Sequence, residues 1–285
     1  MKILITGVEG QLGYDVKREA ECRGITCICP SLEEMDITIF EQVNHIMKTN
    51  KPDYVIHCAG WTDVDLAEDE KNISIVRKIN VGGTENLAKL CRQFQSRMIY
   101  ISTDYVFDGK GTVPWNAYCD SYMPLNVYGQ TKLEGEFAVK YLLEQYFIVR
   151  ISWLFGKNGN NFVKKMLNIG KTHDIVRVVN DQIGTPTYAR DLARLLLDMV
   201  HTDKYGYYHA TNEGGYISWY DFACEIYRQA GMKTKVMPVS TNEYGLSKAS
   251  RPFNSRLDKS RLIENGFKLL PEWKDALSRY LKEIL

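Results

Sequence analysis

The first thirteen residues constrain this chain more than any other stretch. A short apolar run, Lys2–Thr6, ends in Thr6-Gly7-Val8-Glu9-Gly10-Gln11-Leu12-Gly13, and a helical pattern follows. Glycines spaced by three between a strand and a helix let the backbone come close to a pyrophosphate, and the helix N-terminus supplies free N–H groups with partial positive charge. A glycine turn kept only for tightness is the plain alternative, and this position after an N-terminal strand favours it little. Gly7, Gly10, Gln11, Leu12 and Gly13 are therefore expected to hold a dinucleotide.

The first half repeats that strand–helix alternation. Apolar runs at Lys2–Thr6, Ile25–Cys29, Tyr54–His57, Met98–Ser102 and Phe147–Ile151 predict buried strands. Between them, one helix is predicted to open at Thr38 with Glu41 completing a capping box, and another to span Glu85–Phe94. Strands apolar on both faces and separated by helices imply an α/β fold, a Rossmann-type doubly wound parallel sheet. Its ligands belong beyond the carboxyl ends of the strands. After about residue 152 the rhythm changes. Tyr188–Val200 and a helix started by Ser218 and Asp221 precede an amphipathic end at Pro271–Leu285. The expected division is residues 1–151 as the cofactor domain, with a helix near 187–201 returning to it. Residues 152–285 then form mainly a smaller C-terminal substrate-binding lobe.

Composition narrows the partners. Lys+Arg 36 against Asp+Glu 35 leaves a net charge of +1, which argues against a nucleic-acid surface or an anionic membrane. No run approaches the ~18 apolar residues of a transmembrane helix. The seven cysteines form no Cys-x-x-Cys pair and no zinc spacing, and the five histidines show no ligand pattern. A reducing, cytoplasmic compartment and no metal are expected.

Two later segments carry chemistry. Ile101–Gly109 runs a strand through Ser102-Thr103-Asp104 into a loop, and Pro124–Lys132 contains Tyr128 and Lys132 four residues apart. On a helix both side chains share a face. An ammonium beside a phenol favours phenolate, drawing it below its usual ~10. Such a tyrosine can protonate a carbonyl oxygen while a nicotinamide delivers hydride to its carbon, with the Thr103 hydroxyl holding the same oxygen. Alone the Tyr-x-x-x-Lys spacing is weak in a chain with 18 tyrosines. Coupled to the glycine turn it is specific. At the end of the second strand Cys29-Pro30-Ser31 offers neither an acid nor an arginine, so NADPH or NADH remain open as cofactor. Asp36, which also precedes the Thr38 helix, could reach the adenine side. Ala59 and Gly60 are small where a flat ligand would pass.

Together these blocks resemble the extended short-chain dehydrogenase/reductases, and within them the dTDP-4-dehydrorhamnose reductase family. The likeness continues through Glu134-Gly135-Glu136, Arg150-Ile151-Ser152-Trp153, Gly159–Phe162, Asn180–Gln182, Gly184–Thr187 and Ser250–Leu257, nearly the whole chain. It implies Tyr128 as proton donor, Lys132 as its partner and nicotinamide-ribose ligand, and Thr103 in the place usually held by serine. It further implies Asp36, Ile37, Gly60, Trp61 and Thr62 as cofactor contacts, and Thr103, Asp104 and Trp153 as sugar contacts. Asn80 matches the superfamily's relay asparagine, although a helix-start role explains it nearly as well. Arg251 and Arg256, flanking Asn254, suit the diphosphate of a sugar nucleotide because guanidinium groups fork onto phosphate oxygens. Two solvated arginines, or pairing with Asp258, would be the structural alternative.

The implied reaction is NAD(P)H-dependent reduction of dTDP-4-dehydro-L-rhamnose, a dTDP-linked 4-keto-6-deoxyhexose, by a monomer or homodimer. Alternatives are another 4-keto-6-deoxysugar reductase or an epimerase, or a non-catalytic regulator like the β subunit of methionine adenosyltransferase. Some family members dimerise through magnesium held by glutamates. Here Asp15 and Arg190 stand at those places, so that metal is not expected. Trp61 is also bulkier than the cofactor loop calls for.

Overall fold

The computed structural model describes all residues, 1–285. Five strands of the first half, β1 (Lys2–Thr6), β2 (Thr26–Ile28), β3 (Tyr54–His57), β4 (Arg97–Thr103) and β5 (Tyr146–Ile151), join one sheet. A sixth, β7 (Gly206–His209), returns from the second half to pair with β5. The order is β7-β5-β4-β3-β1-β2, parallel throughout. From β1 the chain steps to one side for β2 and then crosses back past β1 to its other side for β3. That reversal opens a crevice at the carboxyl ends of β1 and β3.

Helices cover both faces. On one, α1 (Gln11–Cys22) packs along α7 (Ala189–Met199), and Leu12, Val16, Leu192 and Leu196 bury against Ile3, Ile5 and Val149. On the other lie α2 (Phe40–Asn50) and α4 (Thr84–Phe94), with Val43, Met47, Leu87 and Leu90 against Leu4, Val55 and Tyr100. The long α5 (Val127–Leu142) lies over β4 and against α4. A second core belongs to the later residues. Helices α6 (Phe162–Gly170), α8 (Trp219–Gln229) and α9 (Trp273–Ile284) gather Phe155, Tyr188, Phe222, Trp273 and Tyr280, flanked by the parallel pair β6 (Ile175–Val179) and β8 (Lys235–Val239). No helix is long and apolar enough to cross a membrane.

Two local expectations are corrected. Thr38 does not cap α2: the helix begins after Ile39 with no side-chain cap. Asp36 accepts the Thr38 N–H at 2.8 Å and Gln42 accepts the Asp36 N–H at 2.7 Å, so a local Asx turn takes the place of the capping box. Asn80 does not start a helix either. It lies in a π-helical turn, Lys78–Gly83, running without a break between α3 (Glu70–Arg77) and α4. The Ser218–Asp221 capping box forms, with Asp221 N–H on Ser218 Oγ at 3.0 Å and Ser218 N–H on Asp221 Oδ2 at 2.9 Å.

Candidate active site

The crevice between β1 and β3 is a cleft of about 370 Å³, walled by Thr6–Glu9, Asp36, Ile37 and Ala59–Trp61, among others. Gly7 sits at φ 67°, and a Cβ there would meet the Ala59 nitrogen at 2.7 Å. A Cβ on Gly13 would lie 2.2 Å from the Gly7 carbonyl oxygen, so the turn and α1 fit only without side chains. Gly10 is the N-cap of α1 and no side chain caps it, which leaves the first N–H groups of the helix for an anion. These features fit a dinucleotide's pyrophosphate.

A buried relay of hydrogen bonds fixes the opposite wall. Thr6 Oγ1 accepts the Ala59 N–H at 3.0 Å and meets His57 Nδ1 at 2.8 Å; His57 Nε2 meets Thr84 Oγ1 at 3.1 Å. Burial holds His57 down to about 3, so it is a neutral connector. Asn80 accepts the Trp61 N–H at 2.8 Å and donates to Thr131 Oγ1 on α5 at 3.0 Å. The bulk of Trp61 is accommodated because its indole N–H is tied to the Asp63 carbonyl at 2.8 Å.

Not every expected contact lines the cleft. Leu12 is buried in the core beneath the turn, and Gln11 accepts a bond from Asn161 at 3.1 Å. Neither these two nor Thr62 forms its wall. Asp36 does, with one carboxylate oxygen already spent on Thr38. Pro30, Ser31, Ile75 and Lys78 also line it. Pro30 and Ser31 stand where the pattern calls for an acid or arginine, whereas Ile75 and Lys78 lie on helix faces where neither type carries a pattern of its own.

Thr103 is the last residue of β4, and Asp104 follows it into a 3₁₀ turn, Asp104–Val106. Thr103 Oγ1 donates to Asp104 Oδ1 at 3.1 Å. The other Asp104 oxygen is buried without a partner, and burial raises this carboxyl to about 7. Tyr128 stands in the first turn of α5, which Asn126 caps by accepting the Gly129 N–H at 2.8 Å. Burial pushes the Tyr128 phenol up to about 12, while hydrogen bonding with Thr103 pulls the other way. Lys132, one turn on, lies with its ammonium 4.1 Å from the centre of the Tyr100 ring, and burial lowers it to about 7. Burial therefore outweighs the lowering of the phenol expected from Lys132. The ammonium rests against the Tyr100 face, one helical turn from Tyr128.

The remaining expected residues divide. Trp153 follows β5 with φ 50°, an uncommon backbone for so bulky a side chain, and stacks on Trp219. Segment 251–257 is tied to two neighbouring loops, with Asn254 N–H on the Gly109 carbonyl at 2.8 Å and Ser255 N–H on the Ile183 carbonyl at 2.8 Å. Asn254 itself is buried. Its amide donates to the Lys110 and Val113 carbonyls at 3.2 and 2.9 Å, so it braces the loop instead of facing the site. Arg251 is forked onto Asp65 at 2.8 and 3.2 Å, an engagement that competes with phosphate. Arg256 meets no carboxylate; one guanidinium nitrogen donates to Asn254 Oδ1 at 2.9 Å. Asp15 is buried beside Glu283, Arg18 and Arg190, and burial raises it to about 6. No three His, Cys, Asp or Glu side chains are grouped to hold a metal ion.

Comparison with known proteins matches this architecture along its whole length. The family described as RmlD substrate binding domain matches residues 1–285. A dTDP-4-dehydrorhamnose reductase of Aggregatibacter actinomycetemcomitans is 39% identical, over 97% of this chain and 97% of its own length. The crystal structure of a dTDP-4-dehydrorhamnose reductase from Clostridium acetobutylicum superposes with a TM-score of 0.94 at 43% identity, covering 99% of both chains. One from Bacillus anthracis, in complex with NADP, does so with a TM-score of 0.94 at 40% identity and the same coverage. The chain belongs to the dTDP-4-dehydrorhamnose reductase family, whose substrate-binding-domain model it matches from end to end.

Proposed function

We propose that this protein reduces the 4-keto group of dTDP-4-dehydro-L-rhamnose with NADPH or NADH, giving dTDP-L-rhamnose for cell-surface polysaccharide. The observation that supports this is the match to the reductase family throughout the chain, with Thr103 ending β4 within hydrogen-bond reach of Tyr128 and Lys132 one turn further along α5. A bound nicotinamide supplies the hydride. Tyr128 gives its phenolic proton to the developing alkoxide, which its high proton affinity suits. Thr103 steadies the same oxygen with its hydroxyl, and a charged Lys132 stabilises the phenolate that remains.

The substrate's sugar packs on Trp153 beside Asp104. Arg256, with no carboxylate partner, meets the diphosphate in preference to the already paired Arg251. Lys132 and the Gly7–Gly13 turn hold the cofactor. The seven free thiols suit a reducing compartment, and we place the reaction in the cytoplasm.

The test is a spectrophotometric assay with dTDP-4-dehydro-6-deoxyglucose and its epimerase, comparing NADH with NADPH. Cofactor oxidation is expected only when the keto-sugar nucleotide is present, and Tyr128→Phe is expected to lose at least a hundredfold in kcat, the lower range for general acid catalysis. Full turnover by that variant removes Tyr128 from the chemistry. A cofactor that stays reduced in the presence of the sugar nucleotide removes the reductase reading itself.

A further inference from the structure

Beneath the proposed catalytic pair lies an ion pair with no contact to solvent. Glu136 and Arg150 are both fully buried, Glu136 on α5 and Arg150 on β5. Arg150 donates from Nε to Glu136 Oε1 at 2.8 Å and from Nη2 to Oε2 at 2.7 Å. Ser102, the residue before Thr103, donates to Oε1 at 2.5 Å, and Tyr122 accepts from Arg150 Nη2 at 2.9 Å. The guanidinium is enclosed by the rings of Phe107, Tyr122 and Tyr207, at 4.7–5.0 Å. A buried pair of this kind contributes little net stability compared with apolar side chains of the same volume, so its presence calls for another role.

Its place on α5 indicates that role. Tyr128, Lys132 and Glu136 recur every four residues and form one stripe along the helix. We propose that Glu136, locked in place by Arg150 and Ser102, is a positioning residue that keeps the Lys132 ammonium charged beside Tyr128. The inference rests on the reductase reading and names a regulator of that same site.

The groups facing Lys132 from the surrounding elements support the assignment. From β4 it meets the Tyr100 ring, and the Tyr100 hydroxyl donates to the Lys132 carbonyl at 3.2 Å. From β3 and the loop after it come the neutral His57 and the Cys58 thiol, which burial keeps protonated. Tyr128 precedes it on α5. The Glu136 carboxylate, one turn on along the same helix, opposes the burial that drives the ammonium to lose its proton. Arg150 and Ser102 occupy both carboxylate oxygens, so the negative charge cannot swing away.

The test compares wild type with Glu136→Gln/Arg150→Met, which removes both charges and leaves no buried guanidinium unpaired, and with Glu136→Asp. The pH profile of kcat/KM for the keto-sugar nucleotide is expected to lose its basic limb at lower pH in the double variant, by roughly half a pH unit or more. Glu136→Asp should fall between the two. The Lys132 midpoint is read directly from ¹³Cε-lysine NMR, assigned with Lys132→Met, and should move in the same direction. A folded double variant with an unchanged limb and an unchanged Lys132 midpoint overturns the proposal. Should that variant not fold, Glu136→Asp, which keeps both charges but withdraws the carboxylate by one methylene, decides it: an unmoved midpoint overturns the proposal. If wild type fails to turn over the sugar nucleotide, the reductase reading falls, while the NMR midpoints still decide the role of Glu136.

Discussion

Trp153 lies face to face with Trp219, their ring centroids 3.8 Å apart and their planes within 17°. Trp219 opens α8 in the later core and packs in turn on Phe162, whereas Trp153 sits at the end of the central sheet. The stack therefore joins the two cores at the point where the sugar is proposed to rest. It also holds Trp153 in a left-handed backbone conformation that costs a non-glycine residue about 1–2 kcal/mol.

Removing that support should reach the substrate without touching the acid. An aromatic pair contributes about 1 kcal/mol beyond its buried area, so Trp219→Ala is expected to raise KM for the keto-sugar nucleotide roughly fivefold or more. KM for NADPH should stay within twofold of wild type. Steady-state kinetics with each substrate varied in turn separates the two. An unaltered sugar KM would mean that Trp153 keeps its pose without the stack.

Asp104 ties stability to pH. Burial raises its folded-state carboxyl from 3.8 to about 7, so the folded protein binds this proton more tightly than the unfolded chain does. The contribution is complete below pH 4 and is lost as pH rises through 7. Asp104→Asn keeps the shape and cannot ionise. It is expected to raise Tm at pH 8 by roughly 2 °C or more relative to wild type, with a smaller difference at pH 5. Thermal melts at the two pH values check this, and an equal shift at both would disconnect the effect from ionisation.

Long-range partners mark where the sequence stopped being informative. The strand–helix alternation and the four-residue spacing of Tyr128 and Lys132 are local patterns, and both were legible. Asp65 is 186 positions from Arg251, and nothing near either residue announces their pairing. The same holds for Glu136 and Arg150, which stand in separate recognisable blocks but meet only because α5 lies over β4 and β5. The helix-start alternative for Asn80 fails for a different reason. Asparagine favours helix starts in general, yet here its amide is consumed by Trp61 and Thr131 within a continuous helix.

The two arginines should separate under mutation. Arg256 has guanidinium N–H groups left over, so Arg256→Ala is expected to weaken binding of dTDP, a product-like inhibitor, by about tenfold, the loss of one charge-assisted contact. Arg251 holds the 248–251 loop to Asp65, which also accepts the Lys248 and Ala249 N–H groups, each at 3.0 Å. Arg251→Ala should cost less affinity and instead make this loop more open to protease. Calorimetric titration of dTDP and limited proteolysis distinguish them; equal losses of affinity would place both guanidinium groups on the diphosphate.

Asn80 allows the cofactor wall and the catalytic helix to be tested apart. Its carboxamide accepts from the Trp61 backbone and donates to Thr131, whose hydroxyl in turn donates to the Tyr128 carbonyl at 3.0 Å. Asn80→Ala breaks both links and leaves the half-buried Trp61 N–H without its partner, at a cost of about 1 kcal/mol. The expected result is a higher KM for NADPH together with a lower kcat, because the Ala59–Trp61 wall loosens and α5 loses its brace. Thr131→Val removes only the link to α5, so it should lower kcat and leave NADPH binding, followed by nucleotide fluorescence, unchanged. If Asn80→Ala binds NADPH as tightly as wild type while kcat falls, the residue serves the helix alone, and the wall is held by Thr6 and its bond to Ala59.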